Sequence, residues 1–135
     1  MSRFLDYLTP SGNNAIADWY CRQSVDCRVA FDDLLDILSK KANWSEPEFK
    51  RLQDGLGEIR WKVDDVQHRV IGCAWKNPHG YLLLVGCTHK QRVYSPPDAI
   101  ETAGRRHRGI VFQGKGGVCE HESPENCEDE KQAVP

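Results

Sequence analysis

The segment from Gly55 to Arg108 limits most strongly what this chain can fold into. Three strand-like runs follow one another in it through two short turns. From Glu58 to Val63, the apolar Ile59, Trp61 and Val63 alternate with Glu58, Arg60 and Lys62. A period of two gives a strand with one apolar and one charged face. Asp64-Asp65 supplies a turn, and the run from His68 to Trp75 is more continuously apolar, as a strand buried on both faces should be. Asn77-Pro78-His79-Gly80 forms the second turn. Tyr81 to Cys87 is the most hydrophobic run of the chain. Three strands joined this closely predict a small antiparallel sheet.

The flanks add helices. Phe4 to Leu8 is a short apolar run stopped by Thr9-Pro10-Ser11-Gly12, which predicts a first strand and turn. Ser11, Asn13 or Asn14 then caps a helix through Ile16, Trp19 and Tyr20. A second helical pattern starts near Asp26, with Val29, Leu34, Leu35 and Leu38 near helical spacing. This pair is expected to cover one face of the sheet. Trp44 to Pro47 reads as a loop into Phe49–Leu52, and Thr88 to Ser95 as a polar loop or strand end. Pro96-Pro97-Asp98 opens a helix through Ile100 and Ala103 to Arg108. From Gln113 onward apolar residues nearly vanish, which predicts a disordered acidic tail. The expected fold class is therefore α+β: two N-terminal helices packed on a small, mainly antiparallel sheet, a C-terminal helix and that tail. The domain is placed at residues 1–112 and the tail at 113–135.

No run of about 18 apolar residues exists, so no membrane-spanning helix is expected. Nor does the N-terminal stretch carry an apolar core of the secretory kind. The expected compartment is the cytoplasm. The net charge of -2 at first argues against a nucleic-acid partner. Its distribution argues the other way, because Glu120, Glu122, Glu125, Glu128, Asp129 and Glu130 cluster in the tail, whereas residues 49–110 hold 11 Lys and Arg against 6 Asp and Glu. The tail is thus a solvating segment, or a shield for the basic face. The six cysteines raise the question of disulfides, but in a cytoplasmic protein they are expected to stay reduced, with Cys73 and Cys87 as buried small hydrophobes. Cys119, His121 and Cys127 lack CxxC spacing, so neither a metal nor any other cofactor is expected.

A sheet face studded with Arg, Lys, His and Tyr suits a phosphate backbone, which makes RNA the first substrate to consider. Metal-independent RNA cleavage needs a base for the 2'-OH, an acid for the leaving 5'-oxygen and cations for the charge developing on phosphorus. Arg60 and Arg69, on adjacent strands, are first choices for the cations, with Lys90 and Arg92 beside them. His89 and Tyr94 are the proton-transfer candidates, with His68 behind them; a tyrosine near cations is expected to lose its proton more easily. His68 and Arg69, as strand neighbours, should face opposite ways. Lys62, Arg92, Arg105, Arg106 and Arg108 are candidate RNA contacts, although the last three also suit a helix C-terminus.

The order Leu56-x-Glu58-Ile59-Arg60, His68-Arg69-Val70, an apolar strand ending Thr88-His89-Lys90, then Ser95-Pro96 and a helix with Ile100 and Ala103 resembles the HigB-like, phage-derived branch of the RelE/ParE toxin superfamily. The match spans roughly residues 49 to 110 and carries over most securely to Arg60, Arg69 and Lys90. The resemblance implies a compact α+β toxin fold and a toxin of a type II toxin–antitoxin pair. Relatives of the RelE and HigB kind are ribosome-dependent endoribonucleases that cut mRNA. Their partners are mRNA on the ribosome and a cognate antitoxin, a helix-turn-helix or small helical protein. Relatives of the ParE kind poison DNA gyrase instead. A catalytically silent binding module on the same fold is a further alternative.

Overall fold

The computed structural model describes residues 3–76 and 79–127. Its elements run β1 (Arg3–Leu8), α1 (Ala15–Cys21), α2 (Val25–Ser39), β2 (Phe49–Arg51), β3 (Leu56–Val63), β4 (Val66–Trp75), β5 (Gly80–Lys90), β6 (Val93–Ser95), α3 (Ala99–Gln113) and β7 (Gly117–Glu120). Asn77 and Pro78 of the second expected turn lie outside the described residues, as do Glu128, Asp129 and Glu130.

Local chemistry fixes most of these boundaries. The Asn14 side chain accepts from the Ile16 and Ala17 amides and so starts α1, and Ser24 does the same for Cys27 at the start of α2. Asp64 and Asp65 both take positive φ, 50° and 65°, the twist a two-residue hairpin turn needs between β3 and β4. Gln91 and Arg92 do the same between β5 and β6, with φ of 51° and 70°.

The sheet is larger than expected. Its strands run in the order β2-β3-β4-β5-β1-β7, and β6 pairs with the far end of β5. All pairings are antiparallel except β1 with β5, where Phe4 lies opposite Tyr81. β2, β6 and β7 hold only three or four residues each, too short to show a period in the sequence. Layers on both faces cover the sheet. Ile16, Trp19, Phe31 and Leu38 of α1 and α2 pack with Ile59, Val70 and Leu83 on one side. Ala99 and Ala103 of α3 pack with Ile71, Leu82, Leu84 and Cys87 on the other. Gly86 lets the first layer close, since a Cβ there would meet the Trp19 ring at 2.3 Å.

Two further expectations are corrected. The C-terminal segment is not disordered through residue 127: β7 pairs with β1 in the register Leu5 to Glu120 through Leu8 to Gly117, and the His121 amide donates to the Phe4 carbonyl. β1 otherwise ends the sheet, and its unpaired edge groups are what the short strand satisfies. This part of the tail lies at the opposite edge of the sheet from β3, so it does not shield Arg60. Cys21 and Cys127 form a disulfide rather than two thiols. Their segments are brought together by Ser123, which donates to Asp32 of α2, and by His121, whose Nδ1 lies 2.7 Å from buried Asp6. Cys127 is therefore engaged, which removes it from any ligand set with Cys119 and His121. Cys73 and Cys87 are buried free thiols, as expected. Among the described residues no helix is long and apolar enough to cross a membrane.

Candidate functional site

Alternation along β3 directs Glu58, Arg60 and Lys62 to the face that α3 also occupies, while Ile59 turns into the core beneath α1 and α2. The hairpin register then sets their neighbours. Arg60 lies opposite Arg69, and Arg69 opposite Cys87, in one row across β3, β4 and β5. In the next row Lys62 lies opposite Gln67, Gln67 opposite His89, and His89 opposite Tyr94 of β6. Seven residues from four strands thus share one face within two adjacent rows.

Glu58 binds this group together. It is 2% exposed. Its Oε1 accepts from Arg60 Nε at 2.9 Å and lies 3.5 Å from Arg69 Nε; its Oε2 accepts from the Tyr94 hydroxyl at 2.6 Å. A buried carboxylate persists only with such compensation. Arg69 is also buried, and its remaining nitrogens donate to the His68 carbonyl at 3.1 Å and to Gln67 Oε1 at 2.6 Å. Arg60 is more open and lies 3.5 Å from exposed Glu46. Arg60, Lys62, Gln67 and Arg69 line a cleft of about 340 Å³ beside Trp61 and Glu48.

The electrostatics separate the two proton-transfer candidates. Burial, and then the Arg69 charge, hold the His89 pKa below its ordinary value, so its imidazole is neutral at neutral pH and able to accept a proton. Tyr94 goes the other way. Burial first, and the hydrogen bond to Glu58 second, raise its pKa, so it stays a phenol. The expectation of an easily ionised tyrosine is corrected: burial, together with the hydrogen bond the hydroxyl donates to Glu58, outweighs the Arg69 charge. The His89 and Tyr94 rings meet edge-on, with centroids 4.7 Å apart.

The other expected residues do not all converge. His68 faces opposite to Arg69, as strand alternation requires, and stacks on Trp61 at 5.5 Å in the layer under α2. Its pKa is lowered by burial and then by Arg69, and it is a core residue. Lys90 follows His89 in β5 and points to the other face, so it is outside the group. Arg92 is exposed at the hairpin tip, and Lys62 is exposed with Asp65 at 3.6 Å. Arg106 has a structural role. It donates to the Leu84 carbonyl at 2.6 Å, and its guanidinium lies 4.9 Å from the Tyr7 ring centre. The β4–β5 register shifts at Leu84, and that guanidinium satisfies the carbonyl at the bulge. Arg105 is exposed on the same side of α3, while Arg108 lies beside Gln53 and Asp54 at a different cleft.

Sequence reasoning overlooked Glu58 as a site residue, and Gln67 with it. The alternation that selected Arg60 already put Glu58 on the same face. Its contact with Tyr94 depends on β6, which the sequence did not announce.

The arrangement offers two arginines, a neutral imidazole and a protonated phenol on one face, without a cluster of metal-ligating side chains among the described residues. Comparisons of the chain with protein-family models, with curated proteins and with solved structures found no match.

Proposed function

We propose that the chain is a toxin-like, ribosome-dependent mRNA endoribonuclease that needs no metal. One observation supports this most: the register that sets Arg60 opposite Arg69 also sets His89 beside Tyr94 in the adjoining row. In this reading neutral His89 takes the proton from the 2'-OH as its oxygen attacks phosphorus. The bond to the 5'-oxygen breaks, and the Tyr94 phenol, hydrogen-bonded to Glu58, supplies the proton to that leaving oxygen. The products are a 2',3'-cyclic phosphate and a 5'-hydroxyl. Arg60 and Arg69 hold the charge that develops on the phosphoryl oxygens. The resemblance adds a small helical antitoxin as partner, ribosome-bound mRNA as substrate and the cytoplasm as compartment.

Expression of the wild type then arrests bacterial growth and translation, and Arg60→Ala, at a half-open position, relieves the arrest. Wild-type expression that leaves both unaffected contradicts the proposal in that host.

A second reading, a silent module that binds RNA or an antitoxin helix without cutting, is favoured by one feature. Glu58 neutralises part of the arginine pair and also holds the Tyr94 proton. RNA that is retained by the protein but never cut distinguishes it.

A further inference from the structure

A second cluster of cations lies where the sheet is interrupted. β1 pairs with β5 only from Gly80 to Leu83, and β6 only from Thr88 to Lys90. Between them, among the described residues, no strand runs along this edge of β5, the other edge being paired with β4. Lys90 and Val93 flank the two-residue turn and are hydrogen-bonded partners, so by alternation Gly86 directs its N–H and C=O to this open edge. α1 borders the gap on one face of the sheet and α3 on the other, enclosing a cleft of about 450 Å³.

Arg22 at the end of α1 and Arg105 and Arg106 of α3 all line it, with Thr102 and with Asp18 as its one carboxylate. Arg106 is fixed in place by the Leu84 carbonyl and Tyr7. Arg105 reaches only the Thr102 hydroxyl, at 3.5 Å, and Arg22 is exposed at the rim. Neither of these two has a carboxylate partner among the described residues. The contrast with Arg60 and Arg69, both held by Glu58, is direct. The cleft gathers guanidinium forks, a hydroxyl and backbone donors, the set that recognises phosphate oxygens. The one aromatic side chain in its wall, Trp19, is 5% exposed, so no open ring face is offered to a base.

We infer that this cleft binds a phosphodiester of single-stranded RNA irrespective of base sequence, as a holding site separate from the His89 face. The inference rests on the RNA reading of the function but not on cleavage. Arg22 and Arg105 act as the forks that take the phosphate, and Asp18 weakens the site.

The test is binding of a labelled ten-nucleotide RNA of mixed sequence to the full chain at several salt concentrations. Arg22→Gln with Arg105→Gln, two exposed positions, weakens binding equally for different sequences. It lowers the log–log salt slope by about 1.4, at ~0.7 per phosphate contact on a single strand. Asp18→Asn tightens binding. An unchanged affinity and slope in the double variant overturns the inference, as does a wild type that binds no RNA. Displacement of the RNA by low-millimolar inorganic phosphate assigns the cleft to a free anion and also overturns it. A wild type that binds through these arginines but cuts nothing leaves the inference standing and removes the nuclease reading instead.

Discussion

Glu58 has both oxygens engaged below the surface, and the geometry of the His89 face depends on it. Glu58→Gln leaves the Arg69 charge buried without an ionic partner. Breaking a buried pair from one side costs about 3 kcal/mol, so urea denaturation should show a loss of that order; a change under ~0.5 kcal/mol contradicts the ion-pair account. Protonation supplies a second expectation. The pKa of His89 lies below 6.5, so the base is present in full above that pH and is lost as the pH falls through its folded value. Cleavage by the wild type should therefore show an acidic limb below pH 6.5, and a rate that holds as the pH falls contradicts His89 as the base. His68 acts on stability in the same window. Its folded pKa is also lowered from 6.5, so below that pH the unfolded chain binds a proton that the folded one refuses. Stability is full above pH 6.5 and falls as the pH drops, which urea midpoints at several pH values would reveal; a midpoint that rises on acidification contradicts this.

At the scale of elements, legibility followed length and period. β3 was readable because Ile59 and Trp61 alternate with Arg60 and Lys62, and Asp64-Asp65 is a recognisable hairpin turn. β5 was readable from its apolar run, α1 from its cap and spacing, and α2 from its spacing, whereas the Ser24 cap of α2 was not read. β6 was not, because its hairpin turn is Gln91-Arg92, residues with no preference for the left-handed φ values they adopt. Missing β6 meant missing that Tyr94 folds back to Glu58. The same turn yields a prediction. Left-handed backbone costs an L-residue about 1 kcal/mol. Replacing the pair by Asn-Gly should therefore raise the thermal midpoint by about 3–6 °C. A lowered midpoint would mean that the Gln91 and Arg92 side chains contribute more than the strain costs. β7 was hidden for a different reason: Gly117–Glu120 has no pattern of its own and is a strand only because β1 offers it an edge.

For the whole molecule, the C-terminal segment is part of the fold through residue 127, closing the sheet with β7 and returning to α1 by the Cys21–Cys127 disulfide. The loop so closed has a sequence separation of 106, for which chain entropy assigns up to about 4–5 kcal/mol. Cys127→Ser should lower stability by about 3 kcal/mol under oxidising conditions and have little effect with excess reductant; equal stability in both conditions contradicts a structural disulfide. Such bonds are uncommon in the cytoplasm, so thiol titration of protein drawn from that compartment also tests the compartment the toxin reading assumes. The nuclease proposal itself is tested most directly by incubating the chain with a translating extract and mapping the ends of the mRNA. The account predicts cuts that leave a 5'-hydroxyl, appear only when ribosomes are present, and disappear with His89→Gln while the variant stays folded. Intact mRNA in the wild-type reaction, or cuts that persist unchanged in His89→Gln, would contradict it.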